Sequence, residues 1–280
     1  MELKDSVLKL DSSSVEAKIK RFVKDYVEKC GTKGVVLTVS GGVDSCTTAA
    51  LAALSLGGKK VLGLMLPEEE TFNATDINHA RLVAKKFSFT LKTIDISQTL
   101  KACLSSIPIY DKNDKISKGN LKARIRMVYL YYYANRLGRI VCGSSDKSET
   151  MMGYFTKWGD AAADIAPLMD LYKTQVRQLA THIGLPPEIA KKPSTPALWP
   201  GQLAEKELGV KYETLDLILY GLEHFMTTEE ICGQLDVPTQ LVNDIKTRWL
   251  IMEHKRRPPL TTKLGYRTIG ADFRLPYTTY

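Results

Sequence analysis

The chain has 280 residues, of which 44% are hydrophobic and 25% are charged. These proportions are ordinary for a globular protein, so intrinsic disorder and fibrous repeats are excluded. The 39 lysines and arginines exceed the 31 acidic residues, which gives a net charge of +8. A basic excess of this size suits a polyanionic ligand such as a nucleotide, although many other soluble proteins are equally basic.

The cysteines and the N-terminus indicate the cellular environment. Five cysteines are scattered along the chain, and no CxxC pair occurs. Neither a disulfide framework nor a structural zinc site is therefore expected. The first residues are charged, and the longest apolar runs are far shorter than the roughly 18 residues of a membrane span. We expect a reduced, cytoplasmic protein with no membrane partner.

Hydrophobic patterns alternate between helix and strand through the first half of the chain. The predicted helices cover residues 15–29, 43–56, 74–87 and about 121–136, and the predicted strands cover 34–39, 60–66, 90–96 and 139–142. Residues 191–209 contain three prolines and no periodicity, which predicts a long loop. The alternation predicts an α/β fold with a doubly wound parallel sheet, in a single domain over residues 1–280. Such sheets bind ligands where their strands end, so the loops after Val39, Leu66 and Cys142 should share one crevice.

The sharpest motif is Ser40-Gly41-Gly42-Val43-Asp44-Ser45, between a predicted buried strand and a predicted helix. Its glycines allow close approach to a ligand, and the start of the helix points free N–H groups at an anion. A carboxylate in an anion site implies Mg²⁺ between Asp44 and the phosphate. The lysine of an ordinary kinase or GTPase loop is absent. A polar turn with a helix cap is the structural alternative.

This loop resembles the pyrophosphate loop of the N-type ATP pyrophosphatases, which activate a carboxyl or carbonyl oxygen with AMP. Further blocks, in the same order, resemble the ammonia-dependent NAD synthetases within that group. The blocks cover residues 119–127, 143–149, 153–167, 171–176, 198–202 and 253–258. The resemblance implies an adenine nucleotide alpha-hydrolase-like fold in a homodimer. It also implies that deamido-NAD⁺, ATP and ammonia are converted into NAD⁺, AMP and pyrophosphate through an acyl adenylate.

The resemblance also implies which residues hold ATP and the metal. The implied ATP-binding residues are Thr38, Val39, Ser40, Gly41, Gly42, Val43, Asp44, Ser45, Ser144, Lys173 and Thr195. Asp44 and Glu149 match the magnesium ligands, and together with Lys173 they are the implied catalytic residues. From the residues alone, Glu149 could instead form a capping box with Asp146, and a helix lysine such as Lys173 would usually be solvated.

For deamido-NAD⁺, the resemblance implies contacts from Arg124, Lys157, Asp164, His254 and Lys255. Two phosphates and a nicotinate carboxylate need cations, which the arginine and the two lysines could provide. Without the resemblance, residues 253–257 are typical of a helix C-terminus before a proline stop, or next of a nucleic-acid patch. With it, no nucleic-acid partner is expected.

A second part of the sequence indicates contacts between subunits. Four tyrosines lie on the predicted helix at 121–136, namely Tyr129, Tyr131, Tyr132 and Tyr133. We interpret them as core and subunit-interface residues rather than as a stacking platform.

The chain departs from the family pattern at a few positions. Ser144 stands where the family usually has threonine, and Thr38 stands where it commonly has glycine. At Ala204 the family's acidic side chain is missing, and Ala197 stands where the family has Asp or Gly. The departures at Ala197 and Ala204 concern the lid and the capture of ammonia. Two other functions remain open: a sulfur-inserting or amidating pyrophosphatase acting on tRNA or a base, and a nucleotide-binding module without turnover. The isolated cysteines argue against sulfur transfer.

Overall fold

The computed structural model describes residues 2–269 and residue 272, and the sheet in this part of the chain is entirely parallel. Its strands are β1 (Val35–Thr38), β2 (Val61–Met65), β3 (Thr90–Thr93) and β4 (Ile140–Val141), in the spatial order β3-β2-β1-β4. Val35 pairs with Val61 on one side and with Ile140 on the other. The strand order therefore reverses between β1 and β4, which is where sheets of this kind bind ligands.

Helices connect the strands and form the C-terminal part of the molecule. They are α1 (Ser12–Lys29), α2 (Val43–Leu56), α3 (Ala74–Lys86), α4 (Ser97–Ser105), α5 (Lys115–Leu137), α6 (Lys147–Met151), α7 (Lys173–His182), α8 (Pro187–Ala190), α9 (Ala204–Leu208), α10 (Tyr212–Glu223), α11 (Thr228–Leu235), α12 (Thr239–Ile251) and α13 (Glu253–Arg256). Single 3₁₀ turns occur at Asp5–Leu8, Gly58–Lys60 and Glu69–Thr71. Across the described residues, every helix is too short or too polar to traverse a lipid bilayer.

Both faces of the sheet are covered. Val35 and Leu37 of β1 pack into an apolar cluster with α1, α2 and α7, whereas Val36 between them packs on the other face against α5. Successive side chains of a strand point to opposite faces, so a run of apolar residues is the pattern of a strand buried on both sides. The prediction of a doubly wound parallel α/β sheet is confirmed.

A third apolar cluster joins the C-terminal helices to the edge of the sheet domain. Tyr212, Leu215 and Ile218 of α10 form its centre, and Ile231 and Val242 pack against them from α11 and α12. Tyr172, directly before α7, belongs to the same cluster. This packing places α10 beside the first turn of α7.

Some predicted boundaries are wrong, and each has a local cause. The helix predicted from about residue 121 begins at Lys115, because the Asp114 side chain caps it by accepting a hydrogen bond from the Ser117 amide (2.9 Å). The sequence patterns do not predict α4 or the bounds of the helices after β4, and β3 ends three residues before Ile96. The predicted loop at 191–209 ends early, at the start of α9. Of the four tyrosines, Tyr132 is 69% exposed, and the others are partly buried.

Candidate active site

The loop after β1 is a closed, rigid turn. Gly41 has φ +81°, a conformation that L side chains rarely adopt, and a Cβ atom there would overlap the main-chain carbonyl of Asp76. Glycine is therefore required at this position by both backbone geometry and space. Gly42 is the N-cap of α2, so the first amides of that helix point toward the crevice.

The two serines of the loop bind each other. The Ser45 hydroxyl lies 3.0 Å from that of Ser40, accepts a hydrogen bond from the Ser40 amide (3.1 Å) and lies 3.2 Å from the carbonyl of Gly42, to which it can donate. Ser45 is buried, whereas Ser40 is exposed. Ser45 thus shapes the loop from within, and Ser40 is the serine whose hydroxyl a ligand can reach. The side chains of Val39 and Val43 are buried, so only their main chain can face a ligand.

Lys173 stands at the centre of the site. Its side chain is 0% exposed, and its Nζ lies 2.7 Å from Asp44 Oδ2, 2.6 Å from Asp146 Oδ2 and 2.9 Å from Glu149 Oε1. The three carboxylates come from the first turn of α2 and from the start of α6. The turn after β1 and the turn after β4 thus meet at the point where the strand order reverses, as predicted for the loops after Val39 and Cys142.

Hydrogen bonds behind Lys173 fix its place. The Lys173 amide donates to the Ser148 hydroxyl (2.9 Å), which lies 2.5 Å from the buried Asp216 carboxylate. Asp216 also accepts from the Thr174 amide (2.8 Å). The aromatic ring of Tyr212 lies 5.3 Å from Lys173 Nζ. Helix α10 therefore supports the first turn of α7 and, through it, the lysine.

The electrostatics of this cluster favour a cation. Burial on its own would lower the pKa of Lys173, but the surrounding carboxylates raise it well above its usual value, so the ammonium is retained. Loss of solvent and the neighbouring Asp146 raise the pKa of Glu149 well above its usual value, and burial raises the pKa of Asp146. One ammonium thus balances only part of the charge of three carboxylates.

The arrangement also has the oxygen ligands that a hard divalent cation prefers. One oxygen from each of Asp44, Asp146 and Glu149 lies within 4.8 Å of the others. Asp44 Oδ1 is buried and has no hydrogen-bond partner. A buried carboxylate oxygen without a partner is rare in proteins, and a bound ion is one of its explanations. These residues therefore fit Mg²⁺.

Asp146 is a site residue that the sequence motifs do not identify. From the sequence it is expected only as a helix cap for Glu149, and the structure does show that cap: the Glu149 amide donates to Asp146 Oδ1 (2.8 Å). Its second oxygen faces Lys173, so the residue has both roles. The available signal in the sequence is a carboxylate four residues after the predicted strand end at Cys142, within the block at 143–149.

The residues predicted to hold deamido-NAD⁺ form one group, with one exception. Arg124 donates to the carbonyl of Lys157 (3.2 Å), and Lys157 Nζ donates to the carbonyl of His254 (2.5 Å). Lys255 donates to the carbonyl of Gly153 (2.5 Å). These hydrogen bonds connect α5 with the loop after α6, and that loop with α13.

Asp164 is the exception. Its side chain accepts a hydrogen bond from the Val141 amide in β4 (2.7 Å) and lies 3.4 Å from the Tyr131 hydroxyl. Within the part of the chain that the structure describes, its side chain forms no hydrogen bond or ion pair with the other predicted dinucleotide residues. The structure thus places it at the end of β4, where it also stabilises the strand edge.

The remaining predicted ATP residues lie at the border of the crevice. Ser144 is half-buried in the turn after β4, and Thr38 is half-buried at the end of β1. Thr195 is exposed, and its hydroxyl accepts a hydrogen bond from the amide of Ala197 (3.1 Å). The structure therefore does not bring the Thr195 hydroxyl into hydrogen-bond contact with residues 40–45, which we call the phosphate loop.

Fold and site together define a class: a parallel, doubly wound α/β protein whose Ser-Gly-Gly-x-Asp-Ser loop after β1 and neighbouring acidic cluster suit a nucleotide phosphate with a divalent cation. Within that class, the chain belongs to the NAD synthase family, whose family model matches residues 15–259. The resemblance inferred from the motifs is thereby confirmed.

Individual relatives agree with the family assignment. The NH₃-dependent NAD⁺ synthetase of Hyperthermus butylicus is 45% identical over 256 residues, which are 91% of this chain and 92% of that protein. Among solved structures, an NMN synthetase from Francisella tularensis superposes with a TM-score of 0.81 at 32% identity, covering 91% of this chain and all of that one. An NH₃-dependent NAD synthetase from Campylobacter jejuni, in complex with nitrate, gives a TM-score of 0.76 at 28% identity with the same coverage.

Proposed function

We propose that this chain is an ammonia-dependent NAD⁺ synthetase, which amidates deamido-NAD⁺ with ATP and ammonia and releases AMP and pyrophosphate. The observation that carries this proposal is the buried Lys173 among Asp44, Asp146 and Glu149, beside the phosphate loop of a NAD synthase family member. Such a cluster suits a reaction in which negative charge builds up on a leaving pyrophosphate.

In the first step, an oxygen of the nicotinate carboxylate attacks the α-phosphorus of ATP, and the bond from that phosphorus to the pyrophosphate breaks. In this proposal the first amides of α2 bind the phosphate chain, and the Lys173 ammonium, which is held by the three carboxylates, offsets part of the negative charge beside it. Asp44, Asp146 and Glu149 would hold Mg²⁺, which, when bound, neutralises phosphate charge. We include Asp146 with the two ligands predicted from the sequence. No side-chain nucleophile is needed, so the contribution of the protein is positioning and charge stabilisation.

In the second step, ammonia attacks the carbonyl carbon of the acyl adenylate, a proton is lost, and AMP leaves with the shared oxygen. The group Arg124, Lys157, His254 and Lys255 would hold the dinucleotide by its phosphates and its carboxylate. Binding energy from this remote part of the substrate would position the carboxylate for attack.

The test is a product analysis with purified protein, Mg²⁺, ATP, ammonium and deamido-NAD⁺. We expect NAD⁺ and AMP in equal amounts, and neither product when deamido-NAD⁺ is omitted. Binding of ATP without any AMP would instead support a module without turnover.

Nicotinate mononucleotide is the second candidate substrate, because one similar structure is that of an NMN synthetase. We place the dinucleotide first because the relatives that match nearly the whole chain at higher identity are NAD⁺ synthetases. The same assay with the mononucleotide decides between them. Comparable kcat/KM for both substrates would reopen the choice.

Assembly and location are part of the proposal. Val128 and Tyr132 are large, exposed and one turn apart on α5, so they share one face of that helix. We propose that this face is covered in a homodimer, which light scattering of the purified protein would test. We further propose a single catalytic domain over residues 1–280 and a cytoplasmic location, with which the five free cysteines agree.

A further inference from the structure

The motif at residues 119–127 contains a second buried lysine, Lys122, to which no role has been assigned. Its side chain is 0% exposed, and its Nζ donates to Glu68 Oε1 (2.7 Å), to Glu70 Oε2 (2.9 Å) and to the main-chain carbonyl of Leu198 (2.8 Å). All three donor hydrogens of the ammonium are thereby used. Lys122 thus connects α5 with the turn after β2 and with residues 191–203, which we call the proline-rich segment.

The turn after β2 is a rigid anchor for this lysine. Glu68 is only 2% exposed, and its carboxylate also accepts hydrogen bonds from the amides of Glu70 and Thr71 and from the Thr71 hydroxyl. Glu68 lies shortly after the end of β2, at the carboxyl edge of the sheet. Because the acceptors around Lys122 are fixed in this way, the lysine in turn fixes the carbonyl of Leu198.

Close packing accompanies the hydrogen bond. At Gly119, one turn before Lys122, a Cβ atom would lie 3.0 Å from Leu198 Cβ and 3.2 Å from the Trp199 ring. The proline-rich segment therefore lies directly on α5 at a place where only glycine leaves normal contact distances.

The other end of the proline-rich segment lies beside the phosphate loop. Lys192 forms an ion pair with Asp76, whose main-chain carbonyl is packed against Gly41. The segment is thus attached at Lys192 near the phosphate loop and at Leu198 beside α5 and the turn after β2. Both attachment points lie at the carboxyl edge of the sheet, because the phosphate loop follows β1 and this turn follows β2.

We propose that Lys122 is a positioning residue that holds the proline-rich segment over the crevice, so that ammonia rather than water consumes the acyl adenylate. This inference rests on the proposed function. If the segment moves away, water attacks the same carbonyl carbon, AMP leaves, and the carboxylate of deamido-NAD⁺ is regenerated. ATP is then spent without formation of NAD⁺.

The ratio of AMP to NAD⁺ tests this proposal. In Lys122→Met, we expect the ratio to rise from near one to about two or more, because an open site admits water to the reactive intermediate. Higher ammonia concentration should lower the ratio again, since ammonia and water compete for one carbon. A general loss of stability would reduce both products together and would leave the ratio unchanged.

Lys101→Met is the matched control. Lys101 of α4 forms an ion pair with Glu69, which lies in the same turn after β2 as Glu68 and Glu70. Both side chains are exposed, and neither contacts the proline-rich segment. This variant should keep the wild-type ratio.

Gly119→Ala provides a second, independent variant in case Lys122→Met does not fold. Alanine favours the helix over glycine, so α5 itself is not weakened, while the new methyl group pushes Leu198 and Trp199 outward. We expect an increased ratio in a protein whose helix α5 is kept, which circular dichroism would check. The inference would be overturned if Gly119→Ala, and Lys122→Met where it folds, kept the wild-type ratio of AMP to NAD⁺. If the wild-type protein formed no NAD⁺, the proposed function would be overturned instead.

Discussion

Three carboxylates within 3 Å of a single ammonium leave Lys173 at the centre of a cluster with excess negative charge. A structural salt bridge would need only one of these carboxylates, since burial of further unpaired charge is strongly unfavourable. A cation bound in the cluster would balance the excess negative charge. The three carboxylates are then arranged for that cation, and the folded protein is less stable without it.

Substitutions in this cluster should separate catalysis from folding. Asp44→Asn and Glu149→Gln keep the side-chain shape and remove a charged ligand, so each should lower the rate of pyrophosphate release by about a hundredfold or more. Melting temperatures should not fall, because repulsion among the carboxylates is relieved. Asp25→Asn on the exposed side of α1 is the control. Near-normal turnover at saturating Mg²⁺ would remove that residue from the metal site.

The buried Asp216 predicts a pH dependence of stability. Burial raises the pKa of Asp216 to about 7, whereas an unfolded chain would have a value of about 4. Between these values the folded state keeps a proton that the unfolded state has lost. The stabilisation from this group is thus complete below the lower value and is lost as the pH rises through the higher one.

Urea unfolding at pH 5 and pH 8 tests this prediction. Between these pH values the free energy of unfolding of the wild type should fall by about 2–3 kcal/mol relative to Asp216→Asn. The readout is the difference between pH values, because the amide also alters the hydrogen bonds to Ser148 and Thr174 at every pH. Parallel pH profiles of the two proteins would contradict the raised pKa.

Not every functional residue could be predicted from the sequence, and the reason is distance along the chain. Asp44 and Glu149 stand in recognisable local motifs. Lys122, by contrast, meets partners 54 and 76 residues away, at Glu68 and Leu198. A single sequence contains no signal for such pairings, because they arise only when α5 packs across the end of β2.

At the scale of secondary-structure elements, the prediction succeeded best for α2, where the buried residues are dense. Helix α2 is buried along most of its length, and its predicted bounds at 43–56 are confirmed. Helix α4 has only Leu100 fully buried, so it leaves little periodic signal. Residues 115–117 at the start of α5 are exposed and precede the buried part of that helix, which explains why the predicted start at about residue 121 is too late.

Two glycines in the turn between β1 and α2 give a matched pair of predictions. Gly41→Ala combines a positive φ with overlap against the Asp76 carbonyl, so it should destabilise the fold by about 2–3 kcal/mol and displace the loop. In Gly42→Ala, the nearest atom to the new methyl group is Ser40 Oγ at 3.5 Å, so stability should change little. Chemical unfolding of both variants measures the contrast. Equal stabilities would contradict the tight turn.

At the scale of the whole molecule, the nitrogen donor should be free ammonia. Hydrolysis of glutamine needs a nucleophilic thiolate. Burial raises the pKa of Cys46 and of Cys142 to about 12, so neither is ionised at neutral pH. The other cysteines, Cys30, Cys103 and Cys232, have no histidine or acidic partner among the contacts of the described residues.

Assays with ¹⁵N-labelled donors test this expectation. Ammonium should transfer its label to NAD⁺, and glutamine labelled in the amide should not. Activity should rise with pH as ammonium loses its proton, because the family's acidic residue is missing at the buried Ala204. If glutamine supported NAD⁺ formation at the same rate as ammonium, the prediction would be contradicted. A rate that does not change with pH would contradict only the argument from Ala204.

The central claim is that this site activates the nicotinate carboxylate by transfer of AMP. Deamido-NAD⁺ labelled with ¹⁸O in that carboxylate tests it directly, since the oxygen that attacks phosphorus leaves with AMP. Mass spectrometry of the products should find one ¹⁸O in AMP and one in the amide of NAD⁺. Label in pyrophosphate or in inorganic phosphate, with unlabelled AMP, would show attack at another phosphorus and would contradict the account.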